Sequence, residues 1–174
     1  MPISKIEAAR RQLDTAIDLF FRGGDHIAIA TLAYNALEIS RALSLAQGKL
    51  DWTCFEDVAE AHKMSTADVW RLFAKPRNFY KHADRDPCES LDDPAETDAE
   101  LLLALTVLQF GEVAERSVEM WAALVWVYAL HPEFGTPEAM RDLVDEFAFL
   151  RELPRSQQLK MRPGIIAELR VRAR

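Results

Sequence analysis

Apolar positions recur every three or four residues along much of the chain, a spacing that is typical of α-helices. The first run of this kind begins after Ser4, a residue type that caps helices, and continues to Gly23 and Gly24. A second, largely apolar run begins at Asp25 and ends near Gly48. Because the link between the two runs is so short, we expect the two helices to pack as antiparallel neighbours.

The middle of the chain carries shorter helical patterns. Apolar spacing predicts one helix within residues 51–63 and another helical segment over residues 65–83. Pro76 interrupts the second segment, because proline lacks a backbone N–H and kinks or splits a helix. The polar residues 84–93 are typical of a loop.

The longest predicted helix starts at Pro94 and reaches Leu130, with Gly111 at a position where the helix could bend. Thr136 is then expected to cap a further helix that extends to Leu150. No useful stretch alternates between polar and apolar residues as a strand would. The sequence therefore predicts an all-α protein, an up-and-down helical bundle of about five main helices.

Length and charge divide the chain into a body and a tail. The 174 residues fit one domain, and we assign residues 1–150 to a single helical bundle and residues 151–174 to a basic helical extension. The net charge is −7, but residues 151–174 hold seven basic and two acidic residues, so the first 150 carry 14 basic and 26 acidic residues, or −12. An acidic body repels a nucleic-acid backbone, which argues against a general nucleic-acid binder.

The sequence gives little indication of a membrane span, a signal peptide or a cysteine motif. The most apolar stretch, residues 120–130, is far shorter than the roughly 20 residues that cross a bilayer, and charges interrupt the first twenty residues, where a signal peptide would be apolar. Cys54 and Cys88 are 34 positions apart and form no Cys-x-x-Cys pair. We expect a cytoplasmic protein without a membrane span.

One short stretch, RNFYKH at residues 77–82, combines groups suited to phosphate chemistry. Arg77 can grip a phosphate with a planar fork, and a histidine such as His82 can accept and return a proton near neutral pH. If Pro76 opens a helical turn, free backbone N–H groups beside Arg77 also favour an anion. Asn78 lies four residues before His82, on the same helical face, where it could orient the imidazole ring.

In this motif the chain resembles the HEPN superfamily, compact helical bundles with an Arg-x4-6-His motif that often has Asn, Asp or His directly after the arginine. The resemblance extends in outline over residues 3–130. It implies a metal-independent endoribonuclease with motifs from two subunits in a dimer cleft, so that RNA is the substrate and no cofactor or metal is needed. By matching position, Arg77 would hold the scissile phosphate, His82 would be the acid or base, and Asn78 would support it.

Other interpretations of these residues stay open. Some proteins of this superfamily keep the fold without cleaving RNA, so the alternative is a non-catalytic module that binds a protein or a nucleotide. Arg77 and His82 could instead be surface groups that pair with Asp84, Asp86 or Glu89. The alternation of His82, Asp84 and Asp86 would also suit a metal-binding loop.

Aromatic residues and the remaining histidines have simpler interpretations. Four aromatics of the long helix are predicted to form core or a dimer interface rather than a ligand box: Phe110, Trp121, Trp126 and Tyr128. Since residues 120–130 carry no charge, this helix should be buried on more than one side, which predicts a homodimer. His26, His62 and His131 are expected to be structural, and the basic residues from Arg162 to Arg174 to form a solvated helix end.

Overall fold

The computed structural model describes residues 2–49 and 96–173, together with the short pieces 59–60, 65–67, 78–79, 84, 87–88 and 90–91. Over these residues all regular secondary structure is helical, so the all-α bundle is confirmed. None of the helices in this part of the chain combines the length and the apolar character that a membrane crossing requires.

Two long helices form the predicted N-terminal hairpin. Helix α1 spans Lys5–Phe21 and helix α2 spans His26–Ala46, and the two pack along each other. Gly23 in the link has a φ of 67°, in the left-handed region that favours glycine, which ends α1 sharply and allows the chain to reverse.

Both helices begin where capping residues predicted them to begin. The Ser4 hydroxyl accepts a hydrogen bond from the backbone N–H of Glu7, and the Asp25 carboxylate accepts one from the backbone N–H of Ala28. Each cap satisfies one of the backbone donors that a helix leaves unpaired in its first turn.

The single long helix predicted from Pro94 to Leu130 is wrong, because the structure has two helices there. Helix α3 spans Glu96–Gly111 and helix α4 spans Val118–Leu130. The chain turns between them, and Ser117 caps α4 by accepting a hydrogen bond from a backbone N–H of its first turn.

The side chain of Arg116 explains the break. It folds back over the end of α3, where it donates to the carbonyl oxygens of Val107 and Leu108, both at 3.0 Å. A Cβ atom on Gly111 would lie 1.9 Å from the guanidinium carbon of Arg116. Gly111 thus makes room for the arginine that ends the helix, and the bend expected at this glycine is a complete break.

The helix predicted from Thr136 to Leu150 is also wrong as a single element. Thr136 caps no helix, because Pro137 follows it directly and takes the N-terminal flanking position of the 3₁₀ turn Glu138–Met140. The chain instead forms a series of short helices: 3₁₀ turns at Pro132–Phe134 and Glu138–Met140, α5 at Arg141–Glu146, and a 3₁₀ helix at Ala148–Glu152.

The segment assigned to a basic extension is helical and packs on the bundle. It holds helix α6 at Arg155–Gln158, a 3₁₀ turn at Leu159–Met161 and helix α7 at Arg162–Arg172. Helix α7 packs against α4, and its Ile165 is completely buried.

Contacts at one end of the bundle fix the helix directions. The Lys49 ammonium, just after α2, contacts the carbonyl oxygen of Glu112, just after α3. Arg10, near the start of α1, donates to the carbonyl oxygen of Glu115 at 2.8 Å. The C-termini of α2 and α3 therefore lie at the same end of the bundle as the N-termini of α1 and α4.

Helix α4 is the buried centre of the molecule. Every residue from Ala122 to Ala129 is at most 8% exposed, because α1, α3, the 132–152 segment and α7 surround it. Phe110, Trp126 and Tyr128 are core residues as predicted, and Trp121 is half-buried. Since one chain covers this apolar helix on all sides, its composition no longer argues for a dimer.

Candidate functional site

The predicted phosphate site is only partly described. Arg77 and His82 lie outside the described residues. Asn78 and its neighbour Phe79 are helical and half-buried. The proposed roles of Arg77, Asn78 and His82 therefore stay predictions.

Most residues of the alternative interpretations around this motif also lie outside the described part of the chain. Asp84 lies in an exposed turn, while Asp86 and Glu89 fall outside the described residues, as does His62. Among the residues that are described, no group of three or more His, Cys, Asp or Glu side chains is arranged to hold a metal ion.

A different cluster, of ionisable side chains, lies at the opposite end of the bundle from the α3–α4 turn. Its centre is Glu100 on α3, whose side chain is 4% exposed. One carboxylate oxygen accepts from Nη2 of Arg155 at 2.5 Å, and the other lies 2.6 Å from Nε2 of His131. A carboxylate this buried is costly unless it is paired, so the two partners are needed to keep Glu100 in the core.

His131 links this cluster to the surface. It follows α4 directly, its Nδ1 lies 3.2 Å from the carboxylate of Glu133, and its ring stacks on Phe134 with centroids 5.1 Å apart. The pKa of Glu133 is lowered, mainly because the backbone N–H of Glu133 donates a hydrogen bond to its own carboxylate and, to a smaller extent, because of the interaction with His131. Both ring nitrogens of His131 contact carboxylates, so the residue joins the end of α4 to Glu100 of α3, and the structural role expected from the sequence stays a prediction.

Arg155 completes the cluster and is enclosed on several sides. Its guanidinium carbon lies 4.6 Å from the ring centre of Trp126 and 5.4 Å from that of Phe20. Its Nη1 donates to the side-chain oxygen of Gln158 at 3.2 Å. The cluster therefore joins α1, α3, α4 and α6.

Three further arginines of the C-terminal segment bind groups of the body. Nε of Arg151 donates to the carbonyl oxygen of Ala129 at 2.6 Å, at the negative end of the α4 dipole. Two more pair with carboxylates, Arg162 with Asp18 at 2.8 Å and Arg172 with Glu146. Four of the seven basic residues of the tail, including Arg155, thus bind groups of the same chain, which argues against a nucleic-acid role for these four arginines.

The α3–α4 turn contacts a second carboxylate, that of the half-buried Asp14 on α1. The Ser117 hydroxyl donates to Asp14 at 2.7 Å, so the residue that caps α4 is itself anchored to α1. Burial raises the pKa of Asp14, and the hydrogen bond from Ser117 and the charges of Arg10 and Arg162 lower it in part. Burial also lowers the pKa of the Arg116 guanidinium.

Sequence patterns did not identify the cluster around Glu100. Its partners His131 and Arg155 lie 31 and 55 positions away, so no local spacing connects them. The one available signal was Glu100 itself, which directly precedes eleven uncharged residues, 101–111, in a helix predicted to be core.

Comparisons with protein-family models, with curated proteins and with solved structures found no match.

Proposed function

We propose that this protein is a HEPN-like helical bundle that acts as a metal-independent endoribonuclease through Arg77, Asn78 and His82. The observation that carries the proposal is the Arg-x4-His spacing of residues 77–82 in a chain whose described residues form an all-α bundle. The helical conformation at Asn78 and Phe79 agrees with a motif placed on a helix.

The proposed chemistry uses the 2′-hydroxyl of the RNA as the nucleophile. His82 removes its proton or protonates the leaving 5′-oxygen, and Arg77 stabilises the charge that develops on the phosphate. Asn78 holds the imidazole in the orientation that proton transfer needs. Because these steps need only side chains of the protein, the reaction proceeds without a metal ion.

The proposed assembly is a homodimer in which two copies of the motif share one cleft. The buried α4 no longer supports this proposal, and the resemblance to HEPN proteins is what remains in its favour. A shared cleft would also relieve a geometric problem, since five residues of helix separate Arg77 and His82 by about 140° around the helix axis.

A second candidate function is a non-catalytic module that binds a partner protein or a nucleotide. The arginine pairs of the C-terminal segment favour it, because each of these side chains binds a carboxylate of the same chain and its charge is therefore less available to RNA. In this case residues 77–82 would be a contact surface rather than a catalytic site.

Incubation of the purified protein with mixed RNA distinguishes the two candidates. We expect wild type to cleave RNA and His82→Ala to lose about 10²–10⁴ in rate, the usual share of a general acid or base. His26→Ala, at the start of α2, is the matched histidine control and should cleave like wild type. If wild type leaves RNA intact and co-purifies with one stoichiometric partner, the module is the better account.

A further inference from the structure

The guanidinium of Arg155 occupies a site with both polar and aromatic walls. Glu100 supplies a carboxylate oxygen 2.5 Å from Nη2, and Gln158 supplies an amide oxygen 3.2 Å from Nη1. The rings of Trp126 and Phe20 lie 4.6 Å and 5.4 Å from the guanidinium carbon. A negative charge, a hydrogen-bond acceptor and two π faces are the groups that recognise a planar cation.

The walls of this site are held by contacts that do not involve Arg155. Trp126 is completely buried, and its ring meets Phe20 edge to face with centroids 5.3 Å apart. Its indole N–H donates to the backbone carbonyl of Gln158 at 3.1 Å. Glu100 keeps its second partner, His131, at 2.6 Å. The site should therefore persist when the arginine is shortened.

We propose that Glu100, Gln158, Trp126 and Phe20 form a guanidinium-binding site, which Arg155 fills from within the chain and which a free alkylguanidinium fills when that side chain is removed. The ligand class is a small alkylguanidinium cation. The Arg155 side chain is 29% exposed, so the site reaches solvent and a ligand can enter without unfolding the bundle.

The chemistry of the site favours guanidinium over ammonium. A guanidinium is planar and weakly hydrated, so it can contact an aromatic face while its edge donates to Glu100 and Gln158. A lysine ammonium is a compact, strongly hydrated point charge and cannot make the two edge contacts in the same plane. The pairing of Arg162 with Asp18 is more open, since the Asp18 side chain is 36% exposed, and its carboxylate is less desolvated than Glu100.

The test is chemical rescue of Arg155→Ala by n-propylguanidinium, which supplies the guanidinium and three carbons, one more than the substitution removes. We expect the melting temperature of Arg155→Ala to fall by about 5 °C or more, because Glu100 loses one of its two partners. Propylguanidinium at ten times its dissociation constant should raise that temperature by about 3–5 °C. Propylurea, a neutral molecule of similar shape, should have no effect at the same concentration.

Three control proteins make the result specific. Propylguanidinium should not stabilise wild type, whose site is filled, nor Arg155→Ala combined with Glu100→Gln, which lacks the carboxylate. It should not stabilise Arg172→Ala, which loses an arginine bound to the exposed Glu146. Equal stabilisation of all four proteins, or none of Arg155→Ala at millimolar ligand, would overturn the proposal.

Arg155→Lys provides a second test that does not depend on rescue. This variant keeps the positive charge and the apolar stem, so it should fold even if Arg155→Ala does not. We expect it to melt below wild type, because the ammonium loses the contacts that only a planar fork can make. A melting temperature equal to that of wild type would show that charge alone fills the site and would contradict a guanidinium-specific site.

Discussion

At the scale of single residues, Asp14 shows how a hydrogen bond between distant positions affects stability. Its carboxylate is partly buried against Ser117, and burial raises its pKa. The raised pKa means that the folded protein favours the protonated form, so charged Asp14 at neutral pH opposes folding. The hydrogen bond from Ser117 offsets only part of this cost.

We predict that Asp14→Asn is more stable than wild type at pH 7, since asparagine can still accept the Ser117 hydrogen bond without a buried charge. The contribution of Asp14 to stability is fully present below the unfolded pKa and is lost as pH rises through the higher folded pKa. The advantage of the variant should therefore shrink as pH falls towards 3.8, the usual aspartate value. Thermal unfolding at pH 7, 5 and 4 measures this trend.

Ser117→Ala is the control for that experiment. It removes the cap of α4, which should cost about 1 kcal/mol at any pH. It also removes the hydrogen bond that lowers the pKa of Asp14, so its total cost should be largest at pH 7, where the effect of Asp14→Asn is a gain. A stability difference between Asp14→Asn and wild type that is independent of pH, or that favours wild type at pH 7, would contradict the role assigned to Asp14.

Local sequence signals reveal a residue's role only when its partners are close in the chain. Arg77, Asn78 and His82 could be proposed as a site because six consecutive residues contain them all. Glu100 and Arg155 are 55 positions apart and meet only because the fold brings α3 and α6 to the same end of the bundle. Their association depends on the tertiary fold, so no spacing in the sequence predicts it.

At the scale of helices, the sequence predicted where α1 and α2 begin, but it did not predict where α3 ends. Ser4 and Asp25 cap their helices through backbone groups three residues away, so the signal is local. The end of α3 depends on Arg116, whose side chain returns over Gly111 to bind carbonyls eight and nine residues back. Apolar spacing continues across this break, which is why it predicted one helix.

We predict that Gly111→Ala destabilises the protein although alanine is the better helix former. The new methyl group would displace the Arg116 guanidinium, which loses two hydrogen bonds to carbonyls and its position 5.0 Å from the ring centre of Trp121. We expect a net loss of about 1–2 kcal/mol in the free energy of unfolding, after a gain of about 1 kcal/mol in helix propensity. Urea denaturation measures it.

Two comparisons isolate the cause. Gly164→Ala, in α7, places its methyl group 3.7 Å from Met161 and should be neutral or slightly stabilising. In an Arg116→Met background, Gly111→Ala should cost much less, because the interaction it disrupts is already gone. Fully additive losses in the double variant would show that Arg116 is not the reason for a glycine at position 111.

At the scale of the whole molecule, opposite charges hold the C-terminal segment against the body of the bundle. Arg155, Arg162 and Arg172 each bind a carboxylate on a different part of the bundle. From the sequence, these charges predicted a solvated basic helix end, because the partners Glu100 and Asp18 are far away in the chain. The fold shows that helix α7 packs on the bundle through residues such as Ile165, while its last residues, 170–173, are exposed.

The homodimer that we propose is a prediction at this scale. If two copies of residues 77–82 build one cleft, sedimentation should show a dimer at tens of micromolar protein. His82→Ala should sediment as wild type does, since it changes the chemistry and not the assembly. A strict monomer at these concentrations would exclude a shared cleft.

The central claim is that Arg77 and His82 cleave RNA without a metal ion, and the ends of the products test it most directly. In the proposed mechanism the RNA 2′-hydroxyl attacks, so wild type in the presence of EDTA should leave a 2′,3′-cyclic phosphate and a 5′-hydroxyl, and DNA of the same sequence should stay intact. The same ends should appear about 10²–10⁴ times more slowly with His82→Ala. Cleavage that stops on chelation, that leaves other ends, or that proceeds equally fast in His82→Ala would contradict the mechanism.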